Sequence, residues 1–269
     1  MLETTSGDAA GAAANGRSEG LPLELPADEL DAEGLLRRAV ARFGDGLTLS
    51  CSFGGTGGLV LLDLLSRVTR ELGAAPPDVF VLDTELLFDE TYRLIEACER
   101  RYGVTVRRVR PLRTVAEQAL DEGEMLWRRD PDRCCALRKV EPMRRAVSGY
   151  AAWVTAIRRD QTSARASAQR LSWDGQFGLW KLCPLVAWDE ARVLHYAFEH
   201  DLPANPLVGA GYTSIGCVPC TRKAVGGSRS GRWLGTGKVE CGLHARPAPS
   251  TTPAVVPATL TVHGDGDRI

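Results

Sequence analysis

The spacing of apolar positions changes repeatedly along the chain. Leu36, Val40 and Phe43 recur at helical intervals. Leu47–Ser50 is a short apolar run that leads into glycines and reads as a strand entering a turn. Residues 59–72 carry a helical pattern, closed by Gly73 and then by Pro76 and Pro77. Residues 79–82 are continuously apolar, as in a strand buried on both faces. An amphipathic helix over residues 88–102 follows, through Leu94, Ile95 and Cys98. Residues 104–109, 153–157 and 179–185 read as further strands, and residues 189–200 as a helix stopped near Pro203. Strands alternating with helices of this length predict an α/β fold with a mostly parallel sheet and helices on both faces. Such sheets bind ligands beyond the carboxyl ends of their strands.

The pattern fails at both ends. Residues 1–26 are rich in Ala, Gly, Glu and Pro and predict a disordered lead. Residues 246–269 are rich in Pro, Thr and Ala and predict a flexible tail. Residues 27–245 then form one domain, ending in a segment at about 225–245. The first residues lack the apolar core of a secretory signal. The longest apolar stretch, residues 59–65, is interrupted by Asp63 and too short to span a bilayer. A cytoplasmic protein is expected, with no membrane partner. In that compartment eight cysteines point to metal ligation or catalysis before disulfides.

A formal net charge of -1 gives no ground for expecting nucleic acid. The cations are nevertheless grouped: Arg107, Arg108, Arg110 and Arg113; Arg133, Arg138 and Lys139; Arg158, Arg159 and Arg165; Arg229 and Arg232. Groups of this kind can converge on an anionic ligand, although each alone also fits a solvated helix face.

Residues 47–58 (LTLSCSFGGTGG) read as strand, glycine-rich loop and helix start. Glycines let backbone approach a phosphate, and a helix N-terminus offers free N–H groups. Ser50, Ser52 and Thr56 add hydroxyls. The Gly-Lys-Ser/Thr of the Walker loop is missing, and a plain tight turn fits the same residues.

Cys134 and Cys135 are adjacent, and Cys217 and Cys220 form a Cys-x-x-Cys pair. Four thiolates in two pairs suffice for one tetrahedral metal or one cubane cluster. A redox dithiol and a pair of buried thiols are the simpler readings of each half. The vicinal pair argues against zinc, because adjacent residues reach one small ion poorly, whereas a cubane offers each its own iron. Cys51, Cys98 and Cys183 lie in or beside apolar elements and read as structural. Cys241 stands apart, between Glu240 and His244, ahead of the Pro-rich tail, and reads as exposed and reactive.

Taken together, these motifs resemble the assimilatory adenylyl-sulfate and phosphoadenylyl-sulfate reductases, over about residues 35–245. The similarity lies in residues 82–88 (LDTELLF), 134–142 (CCALRKVEP), 158–165 (RRDQTSAR), 205–207 (NPL) with Gly211 and Tyr212, 214–220 (SIGCVPC), 229–233 (RSGRW) and 240–244 (ECGLH). The resemblance implies an adenine nucleotide α-hydrolase-like fold. It implies a 4Fe–4S cluster on Cys134, Cys135, Cys217 and Cys220, with Lys139 between cluster and substrate. Leu82 and Asp83 would help hold the adenine. Ser52 and Thr56 would face phosphate, and Arg158, Arg165, Arg229, Arg232 and His244 would complete substrate binding. Cys241 would attack the sulfur and carry an S-sulfocysteine, which thioredoxin or glutaredoxin would cleave to release sulfite. A mobile Cys241 segment is expected, and a homo-oligomer is left open.

Cluster-bearing members of that family mostly use adenylyl sulfate, so this substrate is expected ahead of phosphoadenylyl sulfate or both. A zinc-containing adenylating enzyme and a non-catalytic nucleotide-binding module are the more distant alternatives. Residues 54–58 (GGTGG) depart from related phosphate loops in lacking acidic or Lys-Asp-Ser residues.

Overall fold

In a computed structural model, six strands among the described residues form a single sheet in the order β3-β2-β1-β4-β6-β5. The structure describes residues 29–223, 226–227 and 229–244, so the expected disordered lead and flexible tail lie outside the described residues. The strands are β1 (Leu47–Ser50), β2 (Asp78–Leu82), β3 (Val106–Val109), β4 (Ala152–Val154), β5 (Leu171–Asp174) and β6 (Leu179–Leu182). All neighbours are parallel except β5, which pairs antiparallel with β6. The mostly parallel sheet expected from the alternating pattern is therefore present, with one antiparallel hairpin at its edge.

The central strands are apolar throughout because both faces are covered. On one side lie α1 (Ala32–Phe43), α2 (Thr56–Glu71), α3 (Asp89–Tyr102) and α8 (Glu190–Glu199), which share the larger apolar core with β1. Phe80 and Trp153 point into a second core with Met143, Ala146 and Val147, around α7 (Glu141–Ala146). Between β3 and α7 run three short helices, α4 (Val115–Glu122), α5 (Leu126–Arg129) and α6 (Pro131–Cys135). A π-helical turn, Ala136–Val140, joins α6 to α7. A last short helix, α9 (Pro206–Gly209), leads to the second cysteine pair.

β1 is flanked by β2 on one side and β4 on the other. The chain winds outward from β1 to β3, then returns to the far side of β1 at β4. That reversal opens a crevice beyond the carboxyl ends of β1 and β4. The loops leaving these strands, residues 51–55 and 155–158, form its walls.

Candidate active site

The loop after β1 is held open toward the crevice. Phe53 takes a positive φ of 53° although it is fully buried. Its carbonyl accepts from the buried Asn205 amide at 3.2 Å, and the same amide reaches Thr91 at 3.2 Å. A Cβ on Gly54 would lie 2.3 Å from the Ile215 carbonyl oxygen, so only glycine lets the loop touch the segment that carries Cys217. α2 begins at Thr56, three residues earlier than the apolar pattern suggests, and no side chain caps it. Its first turn, Thr56, Gly57 and Gly58, lines the crevice, an arrangement suited to an anion.

The crevice is a cleft of about 690 Å³. Ser52, Thr56, Leu82, Lys139, Arg158, Arg165, Arg229, Arg232, Cys241 and His244 all line it. Asp83 belongs to the same expected set but does not line the cleft. Only 1% exposed, its carboxylate takes the donors close at hand: the Tyr92 hydroxyl at 2.6 Å, the Glu85 N–H at 3.0 Å and Arg110 at 2.9 Å. A buried carboxylate needs such partners, and Asp83 fixes the end of β2 while Leu82 and Thr84 face the cleft.

The cations are held by their own carboxylates. Arg158, 6% exposed, binds Asp160 through two bonds of 2.9 and 3.1 Å. Arg165, 9% exposed, binds Glu240 through two bonds of 2.7 and 2.8 Å. Arg229 lies 3.7 Å from the same Glu240 carboxylate, and its buried Nε finds no partner among the described residues. Burial, with Arg165 beside it, pushes the Arg229 guanidinium down to about 10 despite Glu240, which leaves it charged at neutral pH. Arg232 lies over the Trp233 ring at 4.6 Å and donates to the Cys220 carbonyl at 3.3 Å. A Cβ on Gly216 would fall 2.3 Å from the Arg232 guanidinium, so glycine is what admits that arginine.

Cys241 faces these groups. Burial opposes its ionisation. Lys139, the Leu243 N–H and Arg229 outweigh that cost and hold the thiol below its ordinary value, with Glu240 acting against them. Lys139 stays charged for the complementary reason: burial disfavours its charge, but Cys217 and Cys241 lie close. Alkylation of Cys241 by iodoacetamide, followed by peptide mass mapping, should therefore show a pH inflection below that of an ordinary thiol. Lys139→Gln should move the inflection upward, and an unmoved inflection would remove Lys139 from this role. His244 stacks on Trp153 with ring centroids 5.6 Å apart and planes 4° apart. Burial, then Lys181, Arg165 and Arg229, keep its imidazole neutral.

Cys134, Cys135, Cys217 and Cys220 line one small cavity behind this cleft, with Leu86, Trp127, Pro131, Arg138 and Lys139. Lys139 and Cys217 belong to both cavities. The two cysteine pairs reach it by separate devices. Asp130 caps α6 through the Arg133 N–H at 2.9 Å and Pro131 starts the helix, so Cys134 and Cys135 sit on its last turn. Buried Arg138 then ties the following turn to the end of β2. It donates to the Thr84 carbonyl at 2.8 Å and to Glu85 at 2.6 Å. Cys217 bridges to Leu87, and the Val218 N–H donates to the Leu86 carbonyl at 2.7 Å. The Thr84 hydroxyl lies 3.2 Å from the Cys217 sulfur. Burial and the neighbouring thiols raise Cys134 to about 12 and Cys220 to about 11. As thiolates the four would repel one another, and a cationic group among them would offset that cost. Among the described residues no group of three His, Cys, Asp or Glu converges to hold a single metal ion. The four cysteines share the lining of one cavity, and an all-thiol donor set of this kind is the one that iron–sulfur clusters use. All eight cysteines are free thiols.

Sequence reasoning did not single out Trp153, Trp233, Gln176 or the pairing of Glu240 with Arg165. Glu240 was visible within residues 240–244, but its partner was not. Trp153 lies in a run that reads as a strand, and Trp233 closes residues 229–233 (RSGRW), where the arginines draw the functional reading.

Residues 46–223 match the family profile described as "Phosphoadenosine phosphosulfate reductase domain". The chain is 46% identical over 216 residues to a Salinibacter ruber protein named adenosine 5'-phosphosulfate reductase, covering 79% of this chain and 83% of that one. It is 46% identical over 231 residues to a Rhodococcus erythropolis protein of the same name, covering 82% and 93%. Among solved structures, the phosphate complex of phosphoadenylyl-sulfate reductase from Candida auris superposes with a TM-score of 0.62. The two are 31% identical over 73% of this chain and 93% of that one. Candida glabrata FMN adenylyltransferase, 18% identical with a TM-score of 0.53 over 71% of this chain and 62% of that one, shares the fold.

Proposed function

The chain belongs to the phosphoadenosine phosphosulfate reductase family, and from that premise we propose that it reduces adenylyl sulfate to sulfite and AMP, with a dithiol protein of the thioredoxin or glutaredoxin type as reductant. The observation that carries this reading is the convergence of the Cys241 thiol with Lys139, Arg165, Arg229 and Arg232 in one cleft. A sulfuryl group is surrounded by anionic oxygens that repel a thiolate. Fixed cations offset that repulsion and stabilise the charge that builds on the leaving phosphate.

Substrate binding falls to the chain's own groups. The uncapped start of α2, with Ser52 and Thr56, faces the nucleotide phosphate, and Leu82 supplies an apolar wall for the adenine. The arginines hold the sulfuryl oxygens. The Cys241 thiolate attacks sulfur: a sulfur–sulfur bond forms, the sulfur–oxygen bond to phosphate breaks, and AMP leaves with that electron pair. A reductant thiolate then attacks the Cys241 sulfur and expels sulfite with the electrons of the sulfur–sulfur bond. The reductant's second thiol closes its disulfide and returns Cys241 as a thiolate. Two electrons pass from dithiol to sulfur, and one difficult reduction becomes two displacements.

Cys134, Cys135, Cys217 and Cys220 would hold a 4Fe–4S cluster. When bound, that cluster supplies fixed charge and orientation beside Lys139. The cluster cysteines are also the ground for preferring adenylyl sulfate to its 3′-phosphorylated form. The names of the Salinibacter ruber and Rhodococcus erythropolis relatives support the same choice. Reduced thiols and a protein dithiol reductant fit a cytoplasmic setting. Among the described residues no helix is long and apolar enough to cross a membrane.

Sulfite release measured with each nucleotide tests the substrate. A higher kcat/KM on adenylyl sulfate is expected, and a higher value on the 3′-phosphorylated nucleotide would overturn the choice.

A further inference from the structure

The residues around Cys241 are anchored from three directions. Glu240 is held by Arg165. Leu243 packs against the second apolar core, and His244 stacks on Trp153. Gly242, directly after the thiol, is held by one uncharged side chain: the Gln176 amide donates to its carbonyl at 3.1 Å. Gly242 adopts a φ of 85°, and a Cβ there would lie 3.4 Å from Val140, so this peptide is clamped between Val140 and the β5–β6 hairpin.

Gln176 is itself fixed. It sits in the turn between β5 and β6, where the Asp174 carboxylate accepts from the Gln176 N–H at 3.1 Å and the Phe177 N–H at 3.3 Å. The Gly178 N–H closes the turn onto the Asp174 carbonyl at 2.7 Å, and Lys181 lies 3.9 Å from the Asp174 carboxylate. The hairpin is thus a rigid arm with one donor aimed at the peptide after the nucleophile. Unlike Arg165, Gln176 does not line the cleft. Its loss therefore removes no side chain from the cleft lining.

We infer that Gln176 is a positioning residue, the latch that holds the Cys241 segment docked for attack. This rests on the proposed two-displacement reaction and adds to it. The first displacement needs the thiol seated against the cations. The second needs the sulfo-thiol presented to a second protein, which a docked segment hinders. A latch therefore favours the first step and not the second. A residue that only supported the fold would slow both.

Two variants separate these cases. Gln176→Ala removes the side chain. Gln176→Glu keeps its shape but removes the donor. The holoenzyme is mixed with adenylyl sulfate without reductant, and sulfonation of Cys241 is followed by mass spectrometry. The adduct is then isolated and treated with reduced thioredoxin while sulfite is measured. Both variants should form the adduct about 10-fold more slowly, the scale of one lost hydrogen bond. Both should release sulfite from the preformed adduct at the wild-type rate or faster. Adduct formation at the wild-type rate in either variant overturns the inference, as does equal slowing of both steps. A wild-type enzyme that forms no adduct on Cys241 refutes the two-displacement reading itself, a result distinct from either of these.

Discussion

Replacing Cys241 with serine is expected to lower sulfite production by about 10⁴-fold or more, as loss of a catalytic nucleophile does elsewhere. Iron and acid-labile sulfide should remain at wild-type levels. A serine hydroxyl has no accessible anion at neutral pH, so the field that favours the thiolate has nothing to act upon. That field comes chiefly from Lys139 and Arg229, with the Leu243 N–H beside the sulfur. The four cysteines of the neighbouring cavity are untouched by the change. Residual activity above about one-hundredth of wild type would place the attack on another residue.

The second large effect is expected from Cys217→Ser. Cys217 belongs to the wall shared by the cleft and the cysteine cavity, and the Thr84 hydroxyl lies 3.2 Å from its sulfur. Its backbone is fixed by the bridge to Leu87. Loss of an outer partner at a metal site costs about 10- to 100-fold, so loss of a direct ligand should cost more. The variant should lose its visible absorption, iron and sulfide, and sulfite production should fall with them. Iron and sulfide retained at wild-type levels would remove Cys217 from the ligand set. Stoichiometric zinc in the wild-type protein, without iron and sulfide, would replace the cluster reading altogether.

Much of the sheet was legible because its central strands are buried on both faces. Leu47–Ser50 falls where the apolar run placed it, and residues 79–82 lie within β2. Helices with a clear apolar stripe, such as α3 and α8, were equally plain. The start of α2 was missed because Gly57 and Gly58 are poor helix formers. At Gly58 space forbids anything larger: a Cβ there would lie 2.9 Å from the Cys51 sulfur. The stretch from α4 to α7 gave no pattern, since α5 and α6 span only four and five residues and carry charge on most sides. β5 was hidden for another reason. It is four residues long, none of them fully buried at the sheet edge, and its partner is a hairpin neighbour instead of a βαβ crossover.

The site divides similarly. The candidate site residues could be named from the chain alone, and all of them but Asp83 line one of the two cavities. Asp83 shows the limit of motif reading, because a motif gives a position and leaves open whether the side chain or its neighbours face the ligand. Gln176 carries no local signal. Its role arises from a contact 66 residues away in sequence, which only the folded hairpin creates.

The central claim is that Cys241 attacks the sulfur of adenylyl sulfate. It is tested most directly by intact and peptide mass spectrometry after anaerobic incubation with adenylyl sulfate and no reductant. The account predicts one added SO₃ group, located on Cys241 and removed by reduced thioredoxin with release of sulfite. An unmodified Cys241, or the same group on a different cysteine, would contradict it.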